Sequence, residues 1–375
     1  MHKKDCMKKI LVLIFPLLWL SSCGSDENID DNQDLFDRGK MLANWADNII
    51  IPSYHNYTSE VGEMLIATDQ FIQDPTTTSL MQLREKWQDA YMAWQHVAMF
   101  EIGRAEAIGL QGFTNTYPTD SQGILDLITS GNYNLELPSR RNQQGFPAVD
   151  FLINGIASSD PNIVAIYSNT DTGTDYKKYL GDVVLRINTL AQDVLEDWNT
   201  GYRDTFVANN GSSATGAVNK MTNDFLFYFE KHLRAAKIGI PAGVFSGTPA
   251  REKVEAYYQH ELSGPLFQEA LNASQNFFNG RHFNSNGHGD GFSTYLTFLN
   301  SFKGGEDLSA LINDQFDNAR NTASVLPESL ADQIDQDNTL LLNTYDELQK
   351  NVVLMKVDML QSLNIRVDYV DADGD

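Results

Sequence analysis

The chain has 375 residues, with 27 Lys and Arg set against 50 Asp and Glu, for a formal net charge of −23. Such an excess of negative charge repels phosphate backbones and anionic headgroups, which excludes nucleic acid as a partner. It leaves cations and basic partners open, beside the plainer role of keeping a protein soluble near a membrane surface.

Lys3, Lys4, Lys8 and Lys9 precede an apolar stretch from Ile10 to Leu20 that only Pro16 interrupts, and Met7-Lys8-Lys9 is itself a suitable start. The stretch is shorter than the roughly 20 residues that span a bilayer. A short apolar run between lysines and small residues reads as a secretion signal that is later removed. Leu20-Ser21-Ser22-Cys23 resembles the lipobox of bacterial lipoproteins. That resemblance implies a signal peptide over residues 1–22 and lipidation at Cys23, with the protein held to a membrane through the lipid. The only other cysteine, Cys6, leaves with the signal, so no thiol remains for a disulfide, a zinc–thiolate site or a nucleophile. Loss of four Lys and one Asp with the signal leaves 23 basic against 49 acidic residues, a net −26. Residues 23–35 are polar and acidic, too poor in apolar side chains to order themselves, and read as a flexible tether. Ser25-Asp26-Glu27 also resembles the surface-export signal of Bacteroidetes-type lipoproteins. The expected location is therefore the outer membrane of a bacterial envelope, facing the periplasm or the cell surface.

Beyond the tether the hydrophobic pattern is helical. Ile49-Ile50-Ile51 ends at Pro52, which is expected to interrupt the first helix. Leu80, Leu83, Trp87, Tyr91, Trp94 and Ala98 recur at steps of three and four and share one face. Residues 103–139 are rich in Gly, Pro, Asn and Thr and are expected to form a long loop with one short helical piece near Ile124 to Ile128. Loops of that length usually carry function or disorder. Val183 or Val184, Ile187, Leu190, Val194 and Trp198 repeat the helical pattern, as do Met221, Phe225, Tyr228 or Phe229, and Leu233. Ile240-Pro241-Ala242-Gly243 ends a helix, and residues 279–291 are a Gly/Asn/His loop. The stripe Leu341, Tyr345, Leu348, Val352, Met355, Met359 and Leu363 is the longest. Alternating strands are absent, so the fold class is all-α. Two helical-bundle-like domains are expected, over 36–210 and 211–375.

Few side chains stand out as metal ligands. His96 and His232 sit on helical patterns, and His260-Glu261 lacks the second His of a zinc-protease helix. His282, His288 and Asp290 flank the Gly/Asn loop as a loose set, better read as solvated. The closing residues 368–375 have the composition of a calcium loop without its ligand series, and read as an acidic tail.

Several landmarks occur in an order that resembles the imelysin family, also called insulin-cleaving membrane peptidases. They are Ile49-Ile50-Ile51-Pro52-Ser53-Tyr54, Trp87 with Ala93-Trp94, Phe100-Glu101-Ile102-Gly103, Tyr117-Pro118, Lys237-Ile238-Gly239-Ile240-Pro241-Ala242-Gly243, Val254-Glu255-Ala256-Tyr257-Tyr258 and Asp371-Ala372-Asp373-Gly374-Asp375. The likeness spans residues 36–375. The family signature is Gly-x-His-x-x-Glu, which sets an imidazole and a carboxylate one helical turn apart, as a metal or proton-transfer site needs. Here the matching residues are Gly145, Pro147 and Asp150: proline replaces the histidine and aspartate replaces the glutamate. Proline carries no ligating side chain, yet suits the first turn of a helix. Asp150 either faces the pocket or serves as an acid near a helix N-terminus.

By resemblance, Glu101, Arg104 and Arg141 join Asp150 as the polar, ligand-binding residues of that pocket; the alternative is a surface ion-pair network. No catalytic residue is assigned. The resemblance implies a non-catalytic, ligand- or metal-binding envelope lipoprotein associated with iron uptake. Iron or another divalent metal is its implied cofactor, and an uptake receptor or transporter its implied partner. The alternatives are a metallopeptidase whose ligands come from elsewhere in the fold and a purely structural envelope protein.

Overall fold

The computed structural model describes residues 36–369. Cys23, the signal and tether, and the acidic run from residue 370 lie outside the described residues.

The fold is all-α, as the periodicity predicts; the described strands are two-residue pieces, Phe302–Lys303 and Glu306–Asp307, paired as a hairpin. Helix α1 runs over residues 38–73 and passes straight through Pro52. The expected break is absent because the turn ahead of the proline, Trp45–Ile50, is π-helical. Its widened ladder accommodates a residue that has no N–H to donate. Helix α2, Thr77–Trp94, begins in a reciprocal cap between Thr76 and Ser79 and packs along α1. Its predicted stripe, Leu80 through Ala98, is buried throughout.

Residues 103–139 hold more structure than composition suggests. Short helices Arg104–Ile108 and Leu110–Thr114 are joined by Gly109 at φ 64°, a left-handed residue that ends one turn and starts the next. Helix α3, Ser121–Ser130, follows with an Asp120 cap. Helix α4 covers residues 145–155, α5 residues 173–202 and α6 residues 217–242. Helix α6 ends at Gly243 in the left-handed conformation, where the sequence places its stop. Helices α7 (Ser263–Phe278), α8 (Leu308–Ala323) and α9 (residues 339–362) complete the layers.

The expected division near residue 210 falls in the loop between α5 and α6. The two sides interlock: Asn44 Nδ2 on α1 donates to Gly280 O at 3.1 Å, and Phe283 N–H donates to Asn48 O at 2.8 Å. Trp45 packs on Phe277 and Phe292, and one hydrophobic cluster runs through both sides. Among the described residues no helix is long and apolar enough to cross a membrane.

Phe146, the second residue of α4, is fully buried, stacked on Tyr91 with ring centroids 4.5 Å apart and flanked by Tyr57 and Trp94. Phe146→Ala is expected to cost ~3–5 kcal/mol in urea unfolding. Met81→Ala, on the exposed face of α2, should stay within about 0.5 kcal/mol of the parent.

Candidate functional site

Helix α4 carries the signature positions. Gly145 has φ 78°, and a Cβ there would lie 2.2 Å from Thr114 O, so only glycine lets the chain enter the helix against the 113–114 backbone. Pro147 falls in the first turn, where N–H groups have no intrahelical partner to lose. The helix is fastened from outside. Trp87 Nε1 donates to Phe146 O at 3.3 Å. Arg84 donates twice to Ile153 O, at 3.1 and 2.8 Å, and its guanidinium pairs with Asp160 at 2.9 Å.

Pro147 and Asp150 line a pocket of about 320 Å³. Its other walls are the Tyr117–Pro118 turn, Thr119 and Ser121, and a strap of chain containing Glu252, Val254, Ala256, Tyr257 and Tyr258. Asp150 is buried, and both carboxyl oxygens are committed. Oδ1 accepts from Asn154 Nδ2 at 2.9 Å and Oδ2 from Tyr258 N–H at 2.8 Å. Burial pushes its pKa up to about 7, against the hydrogen bonds from Tyr258, Asn154 and Gln259 and the charge of Arg84, which favour the carboxylate.

The strap is itself pinned. Ala256 sits at φ 53°, a left-handed conformation that costs a non-glycine residue on the order of 1–3 kcal/mol. Bonds on both sides of it offset that cost: Asp150 holds Tyr258 N–H, and the Glu255 side chain is buried against Lys237 of α6. Glu255 Oε1 also accepts from Asn115 Nδ2 at 2.7 Å, and Asn115 Oδ1 accepts from Tyr91 OH at 2.6 Å. Burial lowers the Lys237 pKa, while the Glu255 carboxylate raises it. Nearby His232 is pushed down to about 4 by burial and the Lys237 charge, so it is neutral near pH 7.

The expected companions of Asp150 are elsewhere. Glu101 lines a separate cleft with Glu106, Lys220, Asp224 and Asp368. Its carboxylate accepts from Gln111 N–H at 3.0 Å, and its own N–H donates to Asp224 Oδ2 at 2.6 Å. Burial lifts the Glu101 pKa to about 7. Arg104 is exposed and holds Asp193 of α5 with two bonds, at 3.0 and 2.8 Å. Arg141 is exposed, with its guanidinium 5.1 Å from the centroid of the Phe113 ring. The two short helices over residues 104–114 fold the chain back after Gly103, and none of these three residues lines the Asp150 pocket. His282, His288 and Asp290 form no cation cluster: Asp290 pairs with Lys40 at 3.0 Å. Among the described residues no group of three or more His, Cys, Asp or Glu is placed to hold a metal ion.

Sequence reasoning missed Tyr91, Asn115, Lys237, Glu255 and Tyr258 as members of one site. Lys237, Glu255 and Tyr258 lay inside landmark runs but carried no spacing that marked them.

The chain has an all-helical fold with a pocket at a Gly-x-x-x-x-Asp helix start, closed by a strap from its second half. The Imelysin family model matches residues 50–354, and the chain belongs to the imelysin family. It is similar to iron-regulated protein A of Synechococcus elongatus, at 25% identity over 166 residues, covering 44% of this chain and 43% of that protein. The match thus spans less than half the length of that relative. Among solved structures, one described as an iron-regulated protein A precursor from Parabacteroides distasonis superposes with a TM-score of 0.68 at 16% identity, covering 86% of this chain and 95% of that one. An imelysin-like protein from Psychrobacter arcticum superposes with a TM-score of 0.67 at 18% identity, covering 89% and 97%. At these identities the likeness establishes the fold.

A raised carboxyl pKa makes stability fall as pH rises from the unfolded value, 3.8, toward about 7, because the folded state then holds the proton more tightly. Asp150→Asn removes that dependence at one site. Urea unfolding should show the variant gaining on the parent between pH 4 and 7, by up to ~1.4 kcal/mol per pH unit. An unchanged difference across that range would mean that Asp150 titrates normally.

Proposed function

We propose that this imelysin-family chain is a non-catalytic binding protein, anchored through Cys23 in a bacterial envelope, that takes an organic ligand in the Asp150 pocket as part of iron acquisition. The commitment of Asp150 carries the reading. A metal or a hydrolytic water needs several convergent donors with an open position. One turn before Asp150 stands Pro147, which has no donor, and both Asp150 oxygens are already bonded to Tyr258 and Asn154. Burial also keeps the Asp150 proton bound up to about pH 7. The donor set does not fit a bare divalent ion.

The lining supports an organic ligand instead. Tyr117, Tyr257, Tyr258, Pro118, Pro147 and Val254 offer apolar and aromatic surface, Thr119 and Ser121 offer hydroxyls, and Glu252 adds one carboxylate, too few acidic groups with Asp150 to cage a cation. A few polar groups on mostly apolar walls, in a cavity of about 320 Å³, suit a small molecule, an iron chelate included. The link to iron is supported by the names of the relatives in two organisms. The partner proposed is an iron-uptake receptor or transporter, reached from the tether at residues 23–35.

Restoring the family pattern tests this directly. Titrated with zinc, the parent protein should take up no stoichiometric metal, whereas Pro147→His with Asp150→Glu should gain a zinc site. Cleavage of an unfolded protein substrate by the parent, abolished both by a chelator and by Asp150→Ala, would overturn the non-catalytic reading.

A further inference from the structure

A second cavity, of about 360 Å³, shares no lining residue with the Asp150 pocket. It opens between Ile49 and Ser53 of α1, the turn after α2 (His96, Met99, Phe100), helix α7 and residues 281–286. From these walls we infer a binding site for a free amino acid with an apolar side chain, its carboxylate on Arg281 and its ammonium on Glu269.

The floor is apolar and rigid. Phe100 and Phe277 are buried and meet edge to face at 5.0 Å, with Ile49 and Met99 beside them. The anionic group is Glu269, whose Oε1 lies 2.6 Å from His96 Nε2. That bond holds the carboxyl below its usual range, so it is ionised at neutral pH, and Oε2 has no partner among the described residues. The cationic group is Arg281. Its backbone N–H is fixed to Asn276 O at 2.9 Å, and its guanidinium meets no carboxylate among the described residues. Arg84, Arg104, Arg203, Arg251 and Arg320 each hold an aspartate, whereas Arg281, like Arg140, Arg141 and Arg186, holds none among the described residues; of these four, Arg281 is the one that lines this cavity. An arginine that lines a cavity and holds no carboxylate of its own chain is suited to a carboxylate from outside the chain.

The rim is formed before any ligand arrives. Phe283 N–H is bonded to Asn48 O, its ring stands edge-on to His96 at 5.1 Å, and His282 N–H donates to Gly287 O at 2.9 Å. Opposite charges over a phenylalanine floor call for a molecule with an anion and a cation a few bonds apart and an apolar body. The volume lies at the small end of ligand sites, which suits a single amino acid rather than a peptide.

Isothermal titration of the purified protein with L-leucine, L-methionine and L-phenylalanine tests the site. Saturable one-site binding is expected for at least one of them. The matching acid without its amino group, and the matching amine without its carboxylate, should each bind at least about tenfold more weakly. Arg281→Gln and Glu269→Gln, both exchanges of exposed or half-buried polar groups, should keep the parent's circular dichroism and weaken binding by at least about tenfold. Asp150→Asn should leave it unchanged, which separates this site from the other pocket. Absence of binding by all three amino acids, or equal binding in Arg281→Gln, would overturn the assignment.

Discussion

Lys237 and Glu255 form an ion pair that is 4% and 2% exposed, and the geometry of the signature pocket hangs on it. Two charges taken out of water pay a desolvation penalty that their mutual attraction repays only when further hydrogen bonds satisfy the remaining atoms. Here Asn115 supplies one to Glu255 and is itself held by Tyr91. The network thus ties α2, the residue 115 turn, α6 and the strap to one point. Removing either charge would strand the other, which is why such pairs act as locks more than as sources of net stability. The strap they lock presents Tyr258 N–H to Asp150 and lays Tyr257 and Tyr258 over the pocket.

That arrangement explains what the altered signature does. The histidine and glutamate of the family pattern would point two donors at one spot. Pro147 and Asp150 keep the helix start and one carboxyl, but the carboxyl is turned to structure, holding the strap and the π-helical turn that follows through Asn154. Gly155, one turn further on, leaves room for the Tyr258 ring, since a Cβ there would lie 2.2 Å from it. The helix that carries the His and Glu of the family pattern here forms one wall of a pocket through Pro147 and Asp150.

The helices were legible because their cause is local: a buried stripe repeats at three and four residues whatever it packs against. Leu80 to Ala98 and Leu341 to Leu363 follow that logic. Pro52 misled because its fate depends on the turn before it, and π-helical turns leave no mark in composition. Residues 103–139 misled because Gly109 can end a helix and begin another within one residue, so richness in glycine did not mean absence of helix. Gly145, Pro147 and Asp150 were legible as one unit since they share a single helix. Glu101, Arg104 and Arg141 were placed beside them on family likeness, and none of the three lines the Asp150 pocket. The contacts that build the site join residues 108 and 140 positions apart, Asp150 with Tyr258 and Asn115 with Glu255. No periodicity reports separations of that kind.

Asp150 is a buried carboxyl with both oxygens hydrogen-bonded, and the proposed function rests on its not being a metal ligand. Its carboxyl carbon, followed by carbon-13 NMR through a pH titration with and without zinc or ferrous iron, reads this state directly. The account predicts a midpoint near pH 7 that neither metal moves. A midpoint in the ordinary aspartate range, or a shift of the resonance on adding one equivalent of metal, would contradict it.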